Sequence, residues 1–160
     1  MKKIIKYILA MMVLPLVLCG CNQEDDVFEI FANDKTWHWS GSYTTTNWKD
    51  DNNYKLNLNI DDLSQINKKT DYYNIIFEEN GNVSGKGENF TFKGTWNAMS
   101  KDKSFYINIQ TQGNISGLDK TFYDAIKSAN FYRGDSKCIK LFNSNKSEYI
   151  QFYPLGSLNQ

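Results

Sequence analysis

Tyr73-Asn74-Ile75-Ile76-Phe77-Glu78-Glu79-Asn80-Gly81-Asn82-Val83 carries the two signals that decide the fold. Tyr73, Ile75 and Phe77 fall at every second position. A period of two puts them on one face of a β-strand. Asn80-Gly81 follows at once. Asn-Gly between alternating apolar residues is the strongest short hairpin signal, because the two-residue turn it favours needs positive φ at both positions. The returning strand runs through Val83. This stretch predicts an antiparallel hairpin with one buried face and one solvated face.

The same alternation extends in both directions. Downstream, Phe90, Phe92 and Trp96 alternate with Thr91, Lys93 and Thr95. A turn over residues 100–103 leads into Phe105, Ile107 and Ile109, which alternate with Tyr106, Asn108 and Gln110. Ile139-Leu141 and Ile150-Phe152 are the inward pairs of a last hairpin. Upstream, Trp37-His38-Trp39 opens the first strand. Residues 54–68 fit two readings. Tyr54, Leu56, Leu58 and Ile60 alternate as a strand would, whereas Leu56, Ile60, Leu63 and Ile66 also fit a helix. A strand ending near Ile60, followed by a short helix opened by Asp61 and Asp62, reconciles them. One segment is plainly helical: Phe122, Ala125, Ile126 and Ala129 fall at i, i+3, i+4 and i+7. Ser116 with Asp119 three residues on resembles a capping box, and the helix is predicted over about 118–129. The sum is a mainly β chain of about eight short antiparallel strands, with one α-helix before the C-terminal hairpin. Such strands must hide their edges, and closure into a small barrel does so.

A family resemblance rests on Gly85 after Val83-Ser84, Phe92-Lys93-Gly94-Thr95-Trp96, Phe105-Tyr106-Ile107-Asn108-Ile109, residues 122–129, Phe131-Tyr132-Arg133-Gly134-Asp135 and Ile139-Lys140-Leu141-Phe142. The pattern resembles a family of small uncharacterised lipoproteins of Bacteroides-type bacteria with a lipocalin-like, META-like β domain. It covers most of residues 21–154. The resemblance implies a lipocalin-like barrel behind an acidic tether. It carries no catalytic residues, and the signature cysteines of META domains are absent here.

The N-terminus carries an address. Lys2, Lys3 and Lys6 precede an apolar run of twelve residues, 7–18, and then Leu18-Cys19-Gly20-Cys21. A positive region, a short apolar core and a small-residue cleavage site in that order read as an export signal. The run is too short to span a bilayer, which takes roughly 20 residues. Leu18-Cys19-Gly20-Cys21 resembles the bacterial lipobox, with Leu three before the cysteine and Gly just before it. That resemblance implies cleavage before Cys21, a diacylglyceryl group on its sulfur and acylation, such as palmitate, on its amine. Each buried methylene contributes roughly 0.8 kcal/mol, so two or three chains hold a protein almost permanently. Asn22-Gln23-Glu24-Asp25-Asp26 then resembles the acidic signal that sends such lipoproteins to the cell surface. The expected organisation is a signal peptide over 1–20, a lipidated acidic tether over 21–34 and a single β-barrel-like domain over 35–156, anchored to the outer membrane and facing outward.

Composition narrows the function classes. The signal holds three Lys and no acid, so residues 21–160 hold 15 basic and 18 acidic groups. That balance is not the strong positive charge of a nucleic-acid binder. With Cys21 lipidated and Cys19 cut away, only Cys138 remains, so no internal disulfide is expected. Catalysis lacks converging parts: His38 is the only histidine, and no cysteine pair has metal spacing. Asp61-Asp62 and Glu78-Glu79 read as solvated turn residues. Asp50-Asp51-Asn52-Asn53 lacks the spacing and Gly of a calcium loop. Arg133-Gly134-Asp135-Ser136 spells an integrin-binding tetrapeptide, but Gly-Asp is ordinary turn chemistry. No cofactor or metal site is expected. Trp37, Trp39 and Trp96 could line a ligand pocket or simply fill the core, since small barrels do either. The expectation is a non-enzymatic, membrane-anchored module that binds a small molecule or a protein. The alternative is an inhibitor or accessory subunit of an exported enzyme or envelope complex.

Overall fold

Every strand in the described part of the chain joins one antiparallel sheet; the computed structural model describes residues 23–156. In chain order the elements are α1 (Gln23–Phe31), β1 (Thr36–Thr45), β2 (Tyr54–Leu56), α2 (Ile60–Lys68), β3 (Asn74–Phe77), β4 (Asn82–Lys86), β5 (Phe90–Met99), β6 (Ser104–Gly113), α3 (Gly117–Lys127), β7 (Ala129–Asp135), β8 (Cys138–Asn143) and β9 (Glu148–Pro154). The export signal over 1–20 and Cys21 lie outside the described residues.

The sheet closes on β1. One edge of β1 pairs with β9, from Trp37↔Pro154 to Thr44↔Glu148. Its other edge is shared, with residues 36–38 on β3 and residues 43–45 on β2. The order β1-β3-β4-β5-β6-β7-β8-β9 therefore returns to β1 as a ring of eight strands, with β2 as a short flap. Closure removes the long open edges that invite pairing with other chains. The weakest seam is between β6 and β7, where Ser104↔Phe131 is the one sheet pair. α3 links the two strands across that seam.

The hairpin that opened the reading forms as β3 and β4, with Ile75, Phe77 and Val83 at most 2 % exposed. Its turn differs from the expected two-residue type. Gly81 N–H donates to Glu78 O at 3.0 Å, and Glu78 N–H donates to Asn82 O at 2.9 Å. Positive φ falls on Gly81 alone, at 84°. This is a three-residue loop in which Gly takes the left-handed position, the next commonest hairpin solution.

Two aromatic clusters fill the ring. At one end Phe31 of α1 lies within 5.1–5.6 Å, centroid to centroid, of Phe77, Trp96, Phe105 and Tyr132. Towards the other end Phe122 of α3 stacks on Trp39 at 5.3 Å and packs edge-on to Tyr73, Phe90 and Phe152. α1 and α3 thus each stopper the ring with one phenylalanine.

Four expectations change. The acidic tether expected over 21–34 is helical from residue 23 as α1, whose Val27 and Phe31, with Ala32 just beyond, are buried at 3 %, 0 % and 4 % exposure. The strand expected to end near Ile60 ends at Leu56. Asn59 caps α2 instead, its side chain accepting from Asp62 N–H, and Asp61 and Asp62 fill the first turn as expected. Ser116 makes no side-chain cap to α3. Asp119 spends its carboxylate elsewhere, on Glu88 N–H at 2.7 Å and on Asn89 N–H and Nδ2–H at 2.9 Å. Finally, α3 is followed by β7 as well as the last hairpin.

Candidate functional site

The sequence-flagged residues are mostly spent on structure. Trp37 and Trp39 are fully buried and Trp96 is 6 % exposed. Trp37 Nε1–H donates to Phe31 O at 2.9 Å, Trp39 stacks on Phe122, and Trp96 Nε1–H donates to Glu78 O at 3.0 Å. They are packed as core among the described residues. Only Trp96 reaches a surface hollow, beside Tyr106 and Ala129 at the β6–β7 seam. His38 is fully buried, its ring nitrogens 2.8 Å from Asn74 Oδ1 and 3.1 Å from Tyr72 O and Ile66 O. It ties α2 to the sheet.

Arg133 donates to Trp48 O at 2.6 Å and pairs with Asp51 at 3.1 Å, while Asp135 Oδ1 accepts from Lys137 and Cys138 N–H. The tetrapeptide is locked into β7 and its turn, with its arginine facing a loop of the same chain. Asp51 also takes Lys140 at 2.7 Å, and that hydrogen bond above all holds its carboxyl below the usual range. Its partners are cations of the chain. Among the described residues no group of three His, Cys, Asp or Glu side chains converges. Burial pushes the Cys138 thiol up, away from the reactive thiolate.

What the sequence did not flag is a cleft of about 380 Å³ between α3 and the β1, β8 and β9 strands, within the usual range for small-molecule sites. Leu141, Ile150 and Ala125 give it an apolar side. Ser42, Asn57 and Asn143 bring polar groups from the sheet side, and Thr121, Asp124 and Ser128 from α3. Tyr43, Glu148 and Tyr149 complete it. Burial holds the Tyr149 phenol neutral well above its ordinary range, helped by the phenols of Tyr43 and Tyr54.

A β-bulge creates this lining. Alternation from Trp37 and Trp39 would turn Gly41 and Tyr43 inward and Ser42 outward. The register shifts between Trp39 and Gly41, so that Ser42 pairs with Ile150 and Tyr43 with Tyr149. Paired residues share a face. Ser42 therefore joins the inward row of Ile150 and Leu141, while Tyr43 stacks on Tyr149 at 5.2 Å on the other face. Ser42 is 8 % exposed, and its Oγ has no hydrogen-bond partner. An unsatisfied buried hydroxyl costs about 1–3 kcal/mol, and any group that bonds it recovers that cost. No signal in the sequence marks this site, because a bulge between Trp39 and Gly41 leaves no trace in the hydrophobic pattern.

The cleft lies at the end of the ring opposite α1. β1 begins and β9 ends beside α1; β1 ends, β8 ends and β9 begins at the cleft. Another hollow, of about 580 Å³, sits at the α1 end against Phe28, Glu29 and Glu79. Its lining holds no unpaired buried polar atom.

A ring of eight antiparallel strands, stoppered by two of its own helices and carrying a polar-walled cleft beside one of them, defines a class of small closed β domains. Residues 22–154 match the model of a domain of unknown function, DUF4847, and the chain belongs to that family. A similar solved structure is the crystal structure of a DUF4847 family protein from Bacteroides vulgatus. It is 31 % identical, covers 79 % of this chain and 96 % of that one, and superimposes with a TM-score of 0.66. Among curated proteins no match was found.

Proposed function

We propose that this protein is a membrane-anchored lipoprotein whose lipocalin-like barrel binds a small ligand without transforming it. The observation that carries the binding half is the cleft with the orphaned Ser42 hydroxyl. Its polar walls and apolar side suit recognition. The anchoring half rests on Leu18-Cys19-Gly20-Cys21 and the acidic residues after it. Cys21 stands two residues before α1, which stoppers the end of the ring opposite the cleft. Lipid on Cys21 would hold that end towards the outer membrane and leave the cleft facing away from it. No nucleic-acid partner is proposed.

A second reading, an inhibitor or accessory subunit, is favoured by one feature. Ile76 and Leu155, each 37 % exposed, border a groove of about 560 Å³ on the outer face of β3, β4 and β5.

Anchoring is tested by cell fractionation. The wild type is expected in the outer-membrane fraction and open to protease on intact cells, and Cys21→Ala is expected to leave the membrane. Equal membrane retention of Cys21→Ala overturns the anchor. Binding is tested by thermal shift of the full chain in detergent against a small-molecule library, with Ala125→Phe filling the cleft. Compounds are expected to raise the Tm of the wild type and not of the variant. A library that stabilises neither, or both equally, rules the site out.

A further inference from the structure

We infer that the cleft takes a small organic amine in its protonated form. This rests on the small-ligand reading above and names the chemistry of that ligand. The lining supplies two carboxylates, Asp124 from α3 and Glu148 from β9, and no Lys, Arg or His. Asp124 is only loosely neutralised. Lys120, one turn back on the same helix, reaches its Oδ2, but the two side chains are 62 % and 53 % exposed. Such a pair is worth little and exchanges readily. Glu148 has no ion pair among the described residues, and its Oε2 is 3.5 Å from Asn143 Nδ2, a contact at the limit of a hydrogen bond.

Acidic lining alone would describe a solvated surface. The independent observation is Ser42. Its Oγ, unpartnered on a residue 8 % exposed, lies in the inward row beneath the cleft. An ammonium group carries three donors and no acceptor, so it is matched by a hydroxyl lone pair flanked by carboxylates. Asn57 adds a further polar side chain, whereas the Asn143 carbonyl is already taken by Ser147 and Glu148 N–H. An anion would meet two like charges, and a neutral ligand could donate hydrogen bonds to them but gain no charge pairing. Leu141, Ile150 and Ala125 receive the carbon body that bears the amine.

Three sugars of one ring shape separate the possibilities: glucosamine, glucose and glucuronate. Their binding to the full chain in detergent is followed by ligand-observed NMR at slightly acidic pH, where the glucosamine amine is protonated. Glucosamine is expected to bind about tenfold or more tightly than glucose, to weaken as salt is added, and to lose about tenfold in the double variant Asp124→Asn, Glu148→Gln. Glucuronate is expected not to bind. Both carboxylates are exposed or rim groups, and the Tm of the double variant checks that it folds. Ser42→Ala, a change confined to the hydroxyl, is expected to weaken glucosamine several-fold. Equal affinity for glucose and glucosamine, or undiminished glucosamine binding by the double variant, overturns the proposal. If glucose or glucuronate binds instead and Ala125→Phe abolishes it, the amine falls and the small-ligand site stands. If glucosamine and the simple diamine putrescine both fail to bind, the amine falls, and the Ala125→Phe library experiment decides the site separately.

Discussion

Asp119 is buried to 2 % exposure in the first turn of α3, yet its carboxylate hydrogen bonds go to residues outside that helix. It accepts from the backbone of residues 88 and 89 and from Asn89 Nδ2, and so pins α3 to the β4–β5 turn. Removing a buried acceptor strands its donors, at about 1–3 kcal/mol each where water cannot reach them. Asp119→Ala is expected to destabilise the fold by about 2–4 kcal/mol in urea denaturation, while Asp119→Asn, which keeps one acceptor oxygen, loses less. An Asp119→Ala variant within about 0.5 kcal/mol of the wild type would show that the turn is held by other means. Asp51 gives the pH-dependent case. Its carboxyl is held below its ordinary value by the Lys140 hydrogen bond first, and by the charges of Lys140 and Arg133. A depressed carboxyl stabilises the fold above its unfolded pKa and loses that contribution as pH falls through the folded one. Asp51→Asn should therefore be less stable than the wild type at neutral pH, with the gap closing under acid. A gap that stays constant with pH would assign the effect to packing of the 47–53 loop. The contribution is small, because Asp51 is well exposed.

At the scale of elements, α1 is where sequence and structure part most. Gln23-Glu24-Asp25-Asp26 reads as solvated, and the apolar residues that follow are too few to outweigh it. Yet Val27 and Phe31, one helical turn apart, suffice to plug the ring, because four aromatic rings already wait at that end. Burial of that kind is settled by tertiary partners, which local periodicity does not contain. The strands were legible because inward positions hold the period of two: Ile75, Phe77, Phe90, Phe92, Phe105, Ile139 and Phe152 are all buried as read, whereas Tyr73 is buried just before β3 with φ at 56°. Phe122 and Ile126 likewise gave α3. The cleft was not legible, since its polar residues come from separate elements and its serine faces inward only through a bulge. If α1 is a working part of the core, Phe31→Ala should cost about 3–5 kcal/mol. Hydrogen exchange should then rise first in α1, at Phe77 and at Trp96. Protection in α1 unchanged from the wild type would return residues 23–31 to the role of a tether.

Across the whole molecule the ring is held without a disulfide among the described residues, where Cys138 is free. Stability therefore falls on packed aromatics, and several of these are tyrosines with phenols inside or against the sheet. Burial raises the pKa of Tyr43, Tyr73 and Tyr149, and the Tyr153 phenol is pushed up to about 12 from an ordinary 10.0. Tyr73 is raised further by the carboxylates of Asp119 and Glu88. The sign follows from proton counting. Between the unfolded and the folded pKa the native state keeps protons that the unfolded chain has lost, so stability falls as pH rises. The fold should thus hold a plateau below about pH 10 and lose stability with each step above it, through about 12 for Tyr153. Because four tyrosines act together, alkaline unfolding should be steep and cooperative. Tyrosinate absorbance from these residues should appear together with the loss of β-sheet circular dichroism. Tyr73→Phe removes one of the four protons and keeps the ring packed on Trp39 and Phe122, so its alkaline midpoint should move to higher pH. A midpoint that stays put, or tyrosinate signal from all tyrosines in the still-folded protein, would show that the buried phenols do not govern the alkaline limit.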